Sequence, residues 1–234
     1  MEKIYTIPVN EAFDACAEDS EKGCPFCEMY RVLQENELEI ILGASMMEPD
    51  VRQKTNEMGF CRNHFKIMFS AGKKLPLALI LESHLKEIDD SFSKPGLMPA
   101  MAGASSAKKL SSISDSCYVC SRIEYNFTRM MDTAAYLWET DESFRRKCKK
   151  QYGFCVPHIS EYLTAAKARM KGKVFAQFYG DIYNVQSKHI EGISEKLSRF
   201  VKSFDYRYAN VPIDDARDAV EKTIELICGE YPKR

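Results

Sequence analysis

The sequence predicts an all-α protein built as an internally duplicated helical bundle. Three observations lead to this prediction: apolar residues recur at helical spacing along most of the chain, strand patterns are almost absent, and one cysteine and histidine pattern occurs twice. Only Ile4 to Ile7 alternates in the manner of a strand, and Pro8 ends that stretch. Glycine, proline and serine separate the helical segments.

The first half of the chain predicts five helices. Pro8 or Asn10 opens the first helix, and Pro49 is well placed at the first position of the third. Gly43 and Gly59 provide C-terminal stops for the second and third helices. The predicted segments are 10–22, 25–42, 49–59, 61–70 and a fifth with an apolar stripe over about 77–88.

The stretch 93–116 is rich in serine, alanine, glycine and proline, and it predicts a linker or a long mobile loop. We therefore expect a first helical repeat over 1–92 and a second over 117–234. The second repeat predicts helices at 117–139, 142–152, 156–171, 174–204 and 213–228. The fourth of these has an apolar seam from Ile190 to Phe204 that favours a partner helix.

The repeated pattern consists of a C-x-x-C pair followed by G-F-C-x-x-H. The first copy comprises Cys24, Cys27, Cys61 and His64; the second comprises Cys117, Cys120, Cys155 and His158. Within the copies, the second cysteine precedes the third by 34 and 35 positions, and the copies are offset by 93 and 94 positions. Spacing this regular indicates a duplicated unit.

Three thiolates and one imidazole are a ligand set that zinc prefers, so the sequence predicts two zinc ions. Ligands three residues apart at a helix start project from one turn, and Pro25 and Pro157 suit such a turn. We expect Gly59 and Gly153 to allow a tight turn into the motif. The spacing favours each copy forming its own site over an exchange of pairs between copies. An iron-sulfur cluster and a thiol redox pair remain alternatives.

The remaining cysteines and histidines are interpreted as structural. Cys16, Cys148 and Cys228 have no counterpart in the opposite copy, which is typical of buried or surface thiols. His84 is expected to be a hydrogen-bonded or boundary residue of its helix. His189 begins an H-x-E triplet, but the P-C-x-x-C that zinc deaminases place downstream is missing.

Composition excludes several classes of protein. Lysine and arginine number 33 against 34 acidic residues, without a basic stripe, so we expect no nucleic-acid partner. No apolar run has the length to cross a membrane, and the N-terminal residues do not form a signal peptide, so we expect a cytoplasmic protein. No catalytic motif stands out, which favours binding or scaffolding over catalysis. Aromatic residues near the C-terminus indicate core packing or, alternatively, a homodimer or partner contact.

Three stretches resemble an uncharacterised family of bacterial proteins. They are M-E-K-I-Y-T-I-P-V-N-E-A-F at the N-terminus, then C-P-F-C, then D-V-R-Q-K-T-N-E-M-G-F-C-R-N-H, and the second motif copy follows the same pattern. The family carries a domain of unknown function and is found largely in anaerobic Firmicutes. The resemblance covers essentially the whole chain and implies a cytoplasmic helical protein with paired metal sites. It implies no particular reaction.

Overall fold

The computed structural model describes residues 3–94, 96–208 and 212–230, and within these ranges it contains helices and no strand. The all-α prediction is confirmed. The α-helices are α1 Thr6–Glu18, α2 Pro25–Ile41, α3 Pro49–Met58, α4 Arg62–Ser70, α5 Lys74–Asp90, α6 Pro99–Asp115, α7 Tyr118–Thr140, α8 Glu142–Lys149, α9 Val156–Arg169, α10 Gly172–Lys202 and α11 Ala219–Cys228. In the described part of the chain, none of these helices combines the length and apolar character that a bilayer crossing requires.

Helix α6 occupies the segment that the sequence predicts as a linker or mobile loop. Pro99 takes its first position, and the following alanines, lysines and Leu110 are good helix formers. Ser106 is the buried residue of α6, and its hydroxyl oxygen accepts a hydrogen bond from the backbone N–H of Ser93 at 2.8 Å. Because α6 buries so little apolar surface, its composition is hard to distinguish from that of a linker.

The chain forms two compact units that do not follow the predicted boundaries. Unit 1 comprises Met1–Arg31 and Phe127–Arg234, and unit 2 comprises Val32–Asn126. The divisions fall inside α2 and α7, so each of these helices has residues in both units. Unit 1 therefore contains segments from both halves of the sequence, whereas the predicted repeats were continuous.

The core of unit 1 is aromatic. Its fully buried rings are Phe13, Phe26, Trp138, Phe144, Phe154, Tyr162 and Phe178. Phe26 and Tyr162 have ring centroids 4.9 Å apart, and Tyr162 meets Phe178 edge-on at 5.0 Å. Aromatic pairs at such separations add about 0.5–1.5 kcal/mol each beyond the burial of their area. This packing fixes the starts of α2 and α9, which bear cysteine and histidine motifs.

Unit 2 is held together by packing of α3 against α5 and by polar links between them. The Ser83 hydroxyl donates to Asn56 Oδ1 at 2.8 Å, and His84 Nδ1 lies 3.0 Å from the carbonyl oxygen of Asn56. His84 is thus the hydrogen-bonded histidine that the sequence predicts. The predicted apolar stripe of α5 is buried at Leu77 and Ile80, whereas Leu81 and Leu85 are exposed.

The apolar seam of α10 packs only in part. Ile193, Leu197 and Phe200 are half-buried, and α11 packs along this helix. Ile190 and Phe204 remain exposed. The aromatic residues that the sequence analysis assigned to core packing or to a partner contact divide similarly: Phe178 is buried, Phe175 is half-buried, and Tyr179, Tyr183, Tyr206 and Tyr208 are exposed.

Candidate metal centres

The structure brings the eight cysteine and histidine residues of the repeated pattern together as two groups of four. Site 1 consists of Cys24, Cys27, Cys155 and His158; site 2 consists of Cys61, His64, Cys117 and Cys120. In each group, one ligand atom from every residue lies within 4.8 Å of the other three. Each site lies wholly inside one compact unit, site 1 in unit 1 and site 2 in unit 2.

The expected pairing within each copy is wrong, because the two copies exchange their motif halves. The C-x-x-C pair at Cys24 and Cys27 joins the C-x-x-H pair at Cys155 and His158. The C-x-x-C pair of the second copy joins the C-x-x-H pair of the first in the same way. Each site therefore draws its ligands from opposite halves of the sequence, and site 2 is nested inside site 1 along the chain.

Every motif half lies at the start of a helix. Cys61 and Cys155 are the N-cap residues of α4 and α9, and Cys24 and Cys117 directly precede α2 and α7. The second ligand of each half follows in the first turn. Two helix N-termini therefore converge on each site. Their unpaired backbone N–H groups and positive dipole ends stabilise thiolates, which are the form of cysteine that binds metals.

Site 1 is buried on all sides. Its four side chains are between 1% and 7% exposed. His158 Nδ1 lies 3.1 Å from Cys155 Sγ, 3.4 Å from Cys27 Sγ and 3.9 Å from Cys24 Sγ, and the Cys27 and Cys155 sulfurs are 3.7 Å apart. Hydrogen bonds from Cys24 and Cys27 lower the pKa of Cys155, and burial raises the pKa of Cys24. Cys155 therefore ionises readily, whereas the thiols of Cys24 and Cys27 hold their protons.

The end of α11 closes over site 1. Gly229, the residue that ends this helix, has a φ of +75°, a conformation that glycine adopts without strain. A Cβ atom at this position would lie 3.3 Å from Cys155 Sγ and 3.7 Å from Cys27 Sγ. The hydrogen bond with Cys155 raises the pKa of the Cys27 thiol, and a hydrogen bond from the backbone N–H of Glu230 to the Cys27 sulfur opposes this only in part. Glycine therefore permits a close approach of backbone to the two sulfurs.

Site 2 is open on one side. His64 and Cys117 are buried, whereas Cys61 and Cys120 are partly exposed. His64 Nδ1 lies 3.3 Å from the sulfurs of Cys61 and Cys117 and 3.4 Å from that of Cys120, and the Cys61 and Cys120 sulfurs are 3.9 Å apart. Hydrogen bonds from Cys120 and His64 lower the pKa of Cys117 to about 3. Cys117 is therefore ionised at neutral pH.

A model of a family of unknown function, DUF6062, matches residues 1–234 of this chain. The chain belongs to the DUF6062 family. No curated protein and no solved structure matches it. The family description names no reaction, and the geometry of the two sites indicates what chemistry this DUF6062 member can perform.

In this DUF6062 chain a buried glutamine supports the histidine of site 2. Gln34 is 7% exposed, and its Oε1 lies 3.2 Å from His64 Nε2. With Nδ1 directed at the sulfurs, Nε2 carries the proton and donates a hydrogen bond to this oxygen. The hydrogen bond fixes the tautomer and the orientation of the ring. Gln34 lies seven residues after Cys27, in the helix that bears a motif half of site 1, and no local pattern marks it as a partner of His64.

Replacing Gln34 with alanine is expected to weaken metal binding at site 2 by about tenfold to a hundredfold, because the imidazole loses the partner that orients it. The measurement is competition for zinc against a chelator of known affinity. Gln53→Ala is the matched control, because Gln53 is an exposed glutamine that bonds only to Glu57 on its own helix. Equal zinc affinities for the two variants would contradict the supporting role of Gln34.

The two histidines outside the clusters pack against the motif glycines. A Cβ at Gly153 would overlap the ring of His189, and a Cβ at Gly59 would lie 2.8 Å from His84 Cε1. Gly59 has a φ of +58°, as the expected tight turn requires, whereas Gly153 is not among the glycines with positive φ. Glycine at 153 therefore serves close packing rather than a turn. All four histidines of this DUF6062 chain thus lie in or beside a site.

Gly153→Ala is expected to destabilise the protein by about 1–3 kcal/mol, because the added methyl group has no room beside His189. Chemical denaturation of the variant measures the effect. The double variant Gly153→Ala/His189→Ala should recover much of the loss. In Gly180→Ala, the added Cβ meets nothing within 4 Å, so this substitution should be neutral or stabilising. A Gly153→Ala protein as stable as the Gly180→Ala protein would refute the packing argument.

The other cysteines lie outside both clusters, as the sequence analysis expects. Cys16 and Cys148 are fully buried, and Cys228 is exposed. Burial raises the pKa of Cys16 to about 12 and raises that of Cys148 as well. Both buried residues are therefore neutral thiols at physiological pH, with little reactivity. They serve as matched controls for the cysteines of the two sites.

Proposed function

We propose that the protein binds two zinc ions, one at site 1 and one at site 2, and that the ions have a structural role. The observation that carries this proposal is the proximity of four ligand atoms in each group, within 4.8 Å of one another. A tetrahedral zinc ion with ordinary bond lengths places sulfurs about 3.8 Å apart and sulfur and nitrogen about 3.6 Å apart. The distances between sulfurs are 3.7 and 3.9 Å, and those from sulfur to nitrogen run from 3.1 to 3.9 Å.

The same distances weigh against the two alternatives. An iron-sulfur cluster requires room among its ligands for several iron and sulfide atoms, and ligand atoms this close fit a single ion. A redox dithiol requires only two cysteines. In contrast, each C-x-x-C pair here has a third cysteine and a histidine within bonding distance of the same point. The complete set of four favours metal binding over disulfide exchange.

The proposed ions would join helices rather than act on a substrate. Three cysteines and one histidine fill a tetrahedral shell, so no position remains for a reactive water or a substrate carbonyl. In site 1 the ion would connect the starts of α2 and α9, and in site 2 it would connect those of α4 and α7. Binding or scaffolding is therefore proposed in preference to catalysis. The reciprocal use of motif halves supports the proposed duplication of the chain.

We also propose a cytoplasmic location in a bacterium. Nine cysteines without a disulfide among the described residues support a reducing compartment, where thiolates are available for zinc. The family resemblance supports the bacterial source.

Elemental analysis of protein expressed and purified without added zinc tests the proposed metal content. We expect about two equivalents of zinc per chain, and Cys155→Ser should reduce this to about one equivalent. Cys148→Ser is the control, because Cys148 is a fully buried cysteine outside both sites. It should keep both equivalents.

Metal-free protein, or iron with visible absorbance, would overturn the proposal of zinc. Equal zinc contents for Cys155→Ser and Cys148→Ser would overturn the assignment of the ligands.

A further inference from the structure

Unit 1 contains an open cleft of about 750 Å³ beside site 1. This volume is in the range of small-molecule pockets, which hold about 300–1,000 Å³. The walls come from the turn before Cys24, the segment before Gly153, α10 and α11. Its lining residues are Ser20, Glu21, Lys149, Gln151, Tyr152, Asp181, Asn184, Val185, Lys188, His189, Gly192, Ile193, Lys196, Asp218 and Lys222.

Two of the four lysines in the cleft form no direct ion pair among the described residues, although Lys196 lies close enough to the Asp215 carboxylate to interact with it. Lys149 pairs with Asp181 at 3.1 Å, and Lys222 pairs with Glu21 and Glu225 at 3.4 and 3.2 Å. For Lys188 and Lys196 the described residues provide neither an ion pair nor a hydrogen bond. Four lysines and three acidic residues line the cleft, so the lining carries one net positive charge.

The two unpaired lysines flank a glycine on one face of α10. Lys188, Gly192 and Lys196 are spaced four residues apart, so they form a row along this helix. A Cβ at Gly192 would meet nothing within 4 Å. The glycine therefore leaves the helix backbone open to the cleft between two positive charges, and core packing does not explain its presence.

The rest of the lining, from α10 itself and from the segment before Gly153, offers apolar surface and hydrogen-bond acceptors. Tyr152 is half exposed, and Val185 and Ile193 add aliphatic surface. Gln151 and Asp181 line the same cleft, and each has a buried side-chain oxygen without a hydrogen-bond partner in the structure. Gln151 is only 6% exposed. Buried polar groups are normally paired, so these two oxygens are exceptions.

We propose that this cleft binds a small organic anion. Its acidic group would lie between Lys188 and Lys196 over Gly192, and its apolar body would lie against Tyr152 and Ile193. This binding function goes beyond the proposed metal function, and it does not require a ligand exchange at either site.

Anilinonaphthalene sulfonate, an aromatic anion that fluoresces when bound in an apolar cleft, is a direct probe. We expect saturable binding to the full-length purified protein, weakened by salt. Benzoate should displace the probe at lower concentration than inorganic phosphate does. Gly192→Phe should fill the cleft and weaken binding at least about tenfold, which corresponds to about 1.4 kcal/mol. Lys188→Ala/Lys196→Ala should have an effect of similar size.

Two matched controls make the test specific to the cleft. Gly180→Phe places the same ring on α10 at a glycine that also has open space but does not line the cleft. Lys173→Ala/Lys202→Ala removes two positive charges from the ends of the same helix. Equal probe affinity for Gly192→Phe and Gly180→Phe would overturn the proposal, and so would phosphate competing as well as benzoate. Zinc content measured on the same samples separates this outcome from a failure of the metal sites.

Discussion

The double variant Cys27→Ser/His158→Ala is expected to retain about one equivalent of zinc, whereas Cys27→Ser/His64→Ala is expected to retain almost none. In the first variant both losses fall in site 1, and site 2 keeps its four ligands. In the second variant each site loses one ligand. Zinc per chain, measured after exposure to a moderate chelator, checks this result.

The comparison is internally controlled, because the two variants lose the same kinds of side chain. If each motif copy formed its own site, the outcome would reverse: Cys27→Ser/His64→Ala would keep one ion, and Cys27→Ser/His158→Ala would lose both. The experiment therefore decides between exchanged and local pairing without a further structure.

A strong chelator is expected to remove the two ions in separate phases, site 2 first. Cys61 and Cys120 are partly exposed, so a chelator can reach the metal there by local displacement of one thiolate. All four ligands of site 1 are buried, and the end of α11 covers two of its sulfurs. Release from site 1 therefore requires local unfolding, and we expect its rate to be at least about tenfold lower, equivalent to about 1.4 kcal/mol.

Release can be followed with a coloured zinc indicator and assigned with two ligand variants. His64→Ala should remove the fast phase and leave the slow one, and His158→Ala should do the opposite. If the phase that remains had the same rate constant in both variants, the difference in accessibility would be contradicted.

The sequence was sufficient to predict most of the helices and the residues that form the two candidate sites. Apolar periodicity together with prolines and glycines placed most helix ends within a few residues of those observed, as at Pro25 and Pro49. The ligands were visible because each motif half is local, with two residues three positions apart. The sequence does not predict helix α6, because an apolar residue pattern of helical period appears only where a helix buries one face, and α6 buries little apolar surface.

The pairing of motif halves could not be read from their spacing. Helix α2 has 17 residues and α3 has ten, so their lengths are about 26 Å and about 15 Å. The C-terminal end of α2 therefore lies far from Cys24. Spacing in sequence does not show whether the following helices bring Cys61 and His64 back to Cys24 and Cys27. The roles of Gln34 and His189 are not predictable from sequence for a related reason: tertiary packing brings these residues beside the sites, and the residues next to them in sequence form no recognisable motif.

The nested order of the sites has a consequence during protein synthesis. The first 120 residues of a nascent chain already contain all four residues of site 2. In contrast, site 1 stays incomplete from the synthesis of Cys24 and Cys27 until Cys155 and His158 have been added. At about 5–20 residues per second, this delay lasts roughly 7–26 seconds on the ribosome. During that interval two thiols are open to oxidation or to capture of a wrong metal. Cells depleted of zinc or exposed to oxidant should therefore accumulate newly made chains damaged at the outer pair of cysteines.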